Sequence, residues 1–125
     1  MSNRVAHFEI QADDLNRAMD FYKKTSGWEL VEWKGGDTEY WMIMTAPKDS
    51  TEPGINGGLL KRPAECDPVR PHQGVTGYVC TIVVEDIDAT IKLLEESGSI
   101  CAVPKMDLAG MAWQAYYLDT EKNVF

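Results

Sequence analysis

Asp14-Leu15-Asn16-Arg17-Ala18-Met19-Asp20-Phe21-Tyr22 and, 72 residues further on, Asp86-Ile87-Asp88-Ala89-Thr90-Ile91-Lys92-Leu93-Leu94 are the stretches whose comparison decides the fold. In the first, Leu15, Ala18, Met19 and Tyr22 fall at i, i+3, i+4 and i+7, one face of a helix with 3.6 residues per turn. Ile87, Thr90, Ile91 and Leu94 hold the same four places in the second. Asp14 and Asp86 stand where a side-chain oxygen takes up the free amide protons of a first helical turn. Gly27 and Gly98 stand where each helix should stop, because glycine tolerates the left-handed conformation that closes a helix. Matching starts, apolar stripes and exits mark an internal repeat.

Working outward, each helix is preceded by a β-type run, residues 5–10 in the first copy and 77–84 in the second. Residues 28–33 (Trp-Glu-Leu-Val-Glu-Trp) then alternate apolar and acidic side chains, as a half-buried strand does. Gly35-Gly36-Asp37 makes a turn, residues 40–44 a further strand, and residues 55–60 another that Gly57-Gly58 weakens or bulges. The second copy continues with strands at 99–103, a loop through Pro104, 113–118, and the start of one at 123–125. Between the copies, Pro63, Pro68 and Pro71 among polar residues read as a linker. The expected organisation is therefore α+β: one domain over 1–125, with module one about 1–60, a linker about 61–76 and module two about 77–125, each a βαβββ unit.

Composition narrows the function. With 44% hydrophobic and 26% charged residues the chain can form a packed core. A net charge of −8 speaks against nucleic acid and against anionic membrane surfaces, which both need a basic footprint. The first twenty residues carry Asp13, Asp14 and Asp20 and no apolar signal-peptide core, and no apolar run approaches the roughly 20 residues that span a bilayer. Cys66, Cys80 and Cys101 are odd in number and widely spaced, which fits free thiols in a reducing cytoplasm. Cys80 is expected to be a buried thiol on the strand at 77–84.

The ordered set His7-Phe8-Glu9-Ile10, Asp14-Leu15-x-Arg17-Ala18-x-x-Phe21-Tyr22, Gly27-Trp28, Asp86-Ile87-Asp88 and Tyr117-Leu118-Asp119-x-Glu121-x-Asn123 resembles the vicinal oxygen chelate superfamily. This group includes glyoxalase I, extradiol dioxygenases, bleomycin-binding resistance proteins and fosfomycin-modifying enzymes. The resemblance implies two tandem βαβββ modules forming an open half-barrel, a homodimer, and a small-molecule ligand held in a cup. In metal-using members it also implies four His, Gln or Glu ligands for a divalent ion such as Zn, Ni, Mn or Fe.

Carried over residue by residue, that ligand set is incomplete. His7 occupies the first ligand position, but the repeat places Val79 at its counterpart, 7 plus 72. Gly57, Gly58, Leu59 and Leu60 offer no side-chain ligand in the last strand of module one, and the final carboxylate position falls one residue past Phe125. Glu9 shares a strand face with His7, about 6.5–7 Å away along the backbone. Asp119 or Glu121 would enter the site only through a geometry the family does not use.

The leading expectation is thus a binding cup with His7 and Glu9 as candidate catalytic or polar groups. Trp41, Trp113 and Tyr117 would contact the ligand, with Met42 or Met44 beside them according to strand parity. Such a protein sequesters a small molecule or acts without a metal. The rival is a metal-dependent lyase, isomerase or dioxygenase using His7 with ligands from a second subunit or a missing C-terminal segment. A third possibility is a structural or regulatory module whose cup is filled by its own side chains. Trp28 and Trp33 are assigned to packing or an interface, Asp13-Asp14 to helix capping, and His72 to an exposed position in the linker.

Overall fold

The computed structural model describes residues 4–36, 39–62 and 79–125, and the chain divides into two compact units, Met1–Asp67 and Pro68–Phe125. The linker prolines, Cys66, His72, and Gly77 and Tyr78 of the expected strand lie outside the described residues.

In the first unit the order is β1 (Phe8–Ala12), α1 (Leu15–Ser26), β2 (Glu29–Trp33), β3 (Tyr40–Met44) and β4 (Gly57–Lys61). The four strands form one sheet in the order β1-β4-β3-β2. β1 runs parallel to β4, while β3 is antiparallel to both β4 and β2. Asp14 caps α1 by accepting from the Arg17 amide at 3.0 Å. Gly27 ends the helix at φ 67°, its amide donating to the Lys23 carbonyl at 3.1 Å.

One face of α1 packs on one face of the sheet. Ala12, Ala18, Met19, Ile43 and Leu59 form the buried centre, with Phe8, Ile10, Leu15, Trp28, Leu30 and Trp41 packed around it. Trp28 stacks on Tyr22 with ring centroids 5.1 Å apart, as its assignment to packing requires. Strand alternation sends the intervening side chains to the sheet's other face, away from the helix. Within this unit α1 is the one described helix, so that second face carries no helix of its own unit.

The second unit contains α2 (Ile87–Glu96), β5 (Ile100–Asp107) and β6 (Trp113–Leu118). Asp86 caps α2 through the Ala89 amide at 3.0 Å. Its exit is a full Schellman motif: Gly98 at φ 92°, Ser99 N–H to the Leu94 carbonyl, and Gly98 N–H to the Glu95 carbonyl. β5 and β6 pair antiparallel, and residues 123–125 fold back on β6 through a Leu118–Val124 bridge and two hydrogen bonds between Tyr117 and Phe125.

Three expectations are corrected here. Residues 79–84 carry no strand, and among the described residues no strand lies alongside them to complete a ladder as β4 does for β1. Cys80 is consequently exposed rather than buried, as is Cys101. Pro104 does not end a strand. β5 runs through it, with register shifts on either side of Val103, and a bulge tolerates a residue that has no amide proton. No helix of the described residues is long and apolar enough to cross a membrane.

Candidate functional site

The register fixes what occupies the helix-free face of the first sheet. Glu9 lies opposite Gly58, and Gly58 opposite Met42. Tyr40 pairs with Leu60 and with Trp33, Met42 with Val31, and Met44 with Glu29. One face therefore carries Glu9, Gln11, Tyr40, Met42, Met44, Leu60, Glu29, Val31 and Trp33, and His7 joins it two residues before Glu9. The apolar members on β3 and β4 are half-buried, while Trp33 stays 50% exposed with its ring edge-on to Tyr40 at 6.0 Å.

Tyr40 organises the polar end of this face. Its hydroxyl donates to Glu9 Oε2 at 2.9 Å, and His7 Nε2 lies 2.8 Å from the Tyr40 hydroxyl oxygen. The ring reaches both groups by crossing over β4 at Gly58, where a Cβ would run into the Tyr40 hydroxyl. Gly57 plays the opposite part on the core side, where a Cβ would meet the Phe8 carbonyl at 2.5 Å. The glycine pair that reads as a weak strand or a bulge is a regular strand, stripped of side chains so that an aromatic ring can lie against each face. Burial, the hydrogen bond to Glu9 and the charge of Glu9, in that order, push the Tyr40 hydroxyl up to about 12.

The proton count follows. Tyr40 has a single hydroxyl proton, directed to the carboxylate, so the His7–Tyr40 bond requires an Nε2–H on His7. That tautomer leaves Nδ1 with a lone pair.

The other expected site residues lie elsewhere. Trp41 is on the core face, packed around the helix-side cluster, with its indole N–H donating to Glu39 at 3.0 Å. Strand parity thus removes it from the face of His7, and the aromatic beside His7 is Tyr40. Trp113 and Tyr117 belong to the second unit and share a face of β6. Tyr117 is buried and its hydroxyl donates to Glu95 of α2 at 2.9 Å, its pKa driven upward by burial first and by the Glu95 and Cys101 neighbours after. Trp113 carries Lys105 Nζ over its ring at 4.7 Å, while that ammonium pairs with Asp88 of α2 at 2.9 Å. Both aromatics therefore face the helix. Trp41 and Trp113, 72 residues apart, fall on the same side of their respective sheets.

The donor set does not match a family-type metal site. Within the described residues His7 and Glu9 are the two conventional ligands brought together, and no group of three or more His, Cys, Asp or Glu side chains is placed to hold an ion. Val79 has no donor atom. Asp119 is buried in a turn, accepting from the Glu121 and Asn123 amides at 2.8 and 2.9 Å, and Glu121 is buried beside it with Thr120 donating to its carboxylate. A cavity of about 260 Å³ opens at the Met44 end of β3, but it is walled by the 45–56 loop, whose Thr45 and Asn56 are bonded to each other.

The family model of the Glyoxalase/Bleomycin resistance protein/Dioxygenase superfamily matches residues 4–125. The chain belongs to this superfamily. Among solved structures, UcmS2 is similar at 25% identity, with a TM-score of 0.72 over 100% of this chain and 96% of that one. A variant of the fosfomycin resistance protein FosX from Listeria monocytogenes, complexed with Mn(II) and dihydroxypropylphosphonic acid, matches at 16% identity and TM-score 0.71, covering 100% and 88%. FosX from Mesorhizobium loti matches at 13% and 0.65, covering 100% and 90%. No curated protein matches by sequence. As a superfamily member the chain has His7 where the resemblance places a first metal ligand, and it ties the Nε2 of that histidine to a phenol.

Proposed function

We propose that the protein binds a small molecule on the helix-free face of its first sheet, with His7, Tyr40 and Glu9 as the polar centre and Met42, Val31, Leu60 and Trp33 as the apolar floor. The observation that carries this reading is the His7–Tyr40–Glu9 chain laid over Gly58. A polar cluster set into an apolar sheet face is the usual composition of a ligand site. The protein works by sequestering its ligand, without the superfamily's complete metal set. It acts as a homodimer in the cytoplasm, which is supported by superfamily membership and by exposed apolar side chains of the second unit: Val83, Ile100, Met111 and Trp113.

Two experiments test the reading. In amide NMR spectra, neutral 2-naphthol should shift resonances of β1, β3 and β4, and Gly58→Ala, which displaces Tyr40, should abolish the footprint. Shifts confined to other residues, or unchanged in Gly58→Ala, would overturn it. Elemental analysis of the purified protein should find no stoichiometric Zn, Ni, Mn or Fe. Near-stoichiometric metal that His7→Ala removes would restore the metal-dependent alternative, with ligands supplied by a second subunit or further chain.

A further inference from the structure

We infer that the cavity walled by the loop between β3 and β4 is a further binding site, built for a small zwitterion of the α-amino acid class with an apolar side chain. It stands apart from the His7–Tyr40–Glu9 cluster, because Met44 on its wall lies four residues along β3 from Tyr40, about 13 Å away.

Residues 45–56 join two neighbouring antiparallel strands, a connection for which roughly two to five residues suffice. The surplus chain is held in shape. Thr45 ties the two ends together, its amide donating to Asn56 Oδ1 at 2.9 Å and its hydroxyl to the Ile55 carbonyl at 2.8 Å. Within the loop, the Ser50 amide donates to the Pro47 carbonyl at 2.9 Å and the Glu52 amide to Ser50 Oγ at 3.2 Å. Pro47 and Pro53 restrict the backbone further. The loop encloses about 260 Å³, just below the span of drug-sized ligand pockets, so its occupant is small.

The polar groups on the wall are uncommitted. Lys48, Ser50, Glu52 and Asn56 all line the cavity. Asn56 spends its carbonyl oxygen on Thr45, and its amide protons have no protein acceptor among the described residues. Ser50 accepts from the Glu52 amide and keeps its hydroxyl proton. Lys48 and Glu52 bring opposite charges to one small wall, yet no ion pair joins them to each other or to another described residue. Neither charge alone makes a site; the cavity, the tied loop and the opposite charges held apart do so together. A ligand carboxylate would accept from Lys48, Ser50 and Asn56, and a ligand ammonium would donate to Glu52. Met44 and Pro47 offer apolar contact to the remainder of the ligand.

The test is an amide NMR titration of the full chain with L-leucine, 4-methylpentanoate and 3-methylbutylammonium, the last two being leucine without its amino group and without its carboxyl group. Leucine at up to about 10 mM should shift resonances of residues 44–56 saturably, and each half-ligand should bind at least about tenfold more weakly. The variants then cross. Lys48→Met should weaken leucine about tenfold and leave 3-methylbutylammonium unchanged, while Glu52→Gln should weaken leucine about tenfold and leave 4-methylpentanoate unchanged. Asp49→Asn, exposed in the same loop but off the cavity wall, should alter none of the three. No shift with leucine, shifts centred on β1 and Tyr40 instead, or half-ligands that match leucine would overturn the proposal. So would a Lys48 or Glu52 variant that weakens all three ligands alike, or Asp49→Asn acting as strongly as either.

Discussion

Each unit contains a tyrosine that donates to a glutamate at 2.9 Å, Tyr40 to Glu9 in the first and Tyr117 to Glu95 in the second. The bonds are chemically alike and their settings differ. Tyr40 is half-buried on the sheet face opposite α1, and its oxygen is shared with His7. Tyr117 is 4% exposed and ties β6 to α2, with the Cys101 thiol as its other neighbour. One residue of strand parity separates the two roles. A tyrosine on the helix side of its sheet closes a core, and one on the other side stays half-buried beside an exposed histidine and glutamate.

The comparison breaks first on stability. Tyr117→Ala should destabilise the protein by roughly 3–5 kcal/mol, the range for a buried aromatic removed from a packed site, whereas Tyr40→Ala should cost about 1 kcal/mol or less. Urea denaturation measures both, and equal losses would erase the distinction. A smaller effect sharpens it. Tyr40 should ionise near 12, followed by its phenolate absorbance, and Glu9→Gln should bring it down towards 10 while burial keeps it from returning fully. Because the folded protein holds this proton more tightly than an unfolded chain does, the Tyr40 contribution to stability is complete below pH 10 and is lost as the pH rises from 10 to about 12.

Much of the framework is legible in the sequence because it depends on local chemistry. Aspartate caps, glycine exits and the i, i+3, i+4, i+7 stripes need only neighbouring residues; three of the four helix caps are the expected residues, and α2 is capped by Ser97 with Gly98 next to it. Residues 40–44 and 113–118 form strands with the expected bounds, and residues 28–33 and 99–103 come close to β2 and to the start of β5. What depends on partners is not legible. Residues 79–84 have strand composition, but a ladder needs a neighbour that composition does not supply. His7 and Glu9 can be placed on one face by alternation alone. Tyr40 could not be joined to them without knowing that β4 lies between β1 and β3, with Gly58 at the crossing point. The signal for Tyr40 was present in the Gly57-Gly58 pair, which admits a reading as cleared space as readily as one as a weak strand. Trp41 and Trp113 are the large aromatics that the sequence offers to a ligand, and parity turns both towards their helices.

The central claim is that Tyr40 gives its proton to Glu9 and receives one from His7. The ¹⁵N chemical shifts of the His7 ring at a pH where the imidazole is neutral test it most directly, with His7→Gln identifying the signals. The account predicts a protonated Nε2 and a bare Nδ1, with the preference weakened in Tyr40→Phe. A His7 ring protonated on Nδ1, or a tautomer indifferent to loss of the Tyr40 hydroxyl, would contradict it.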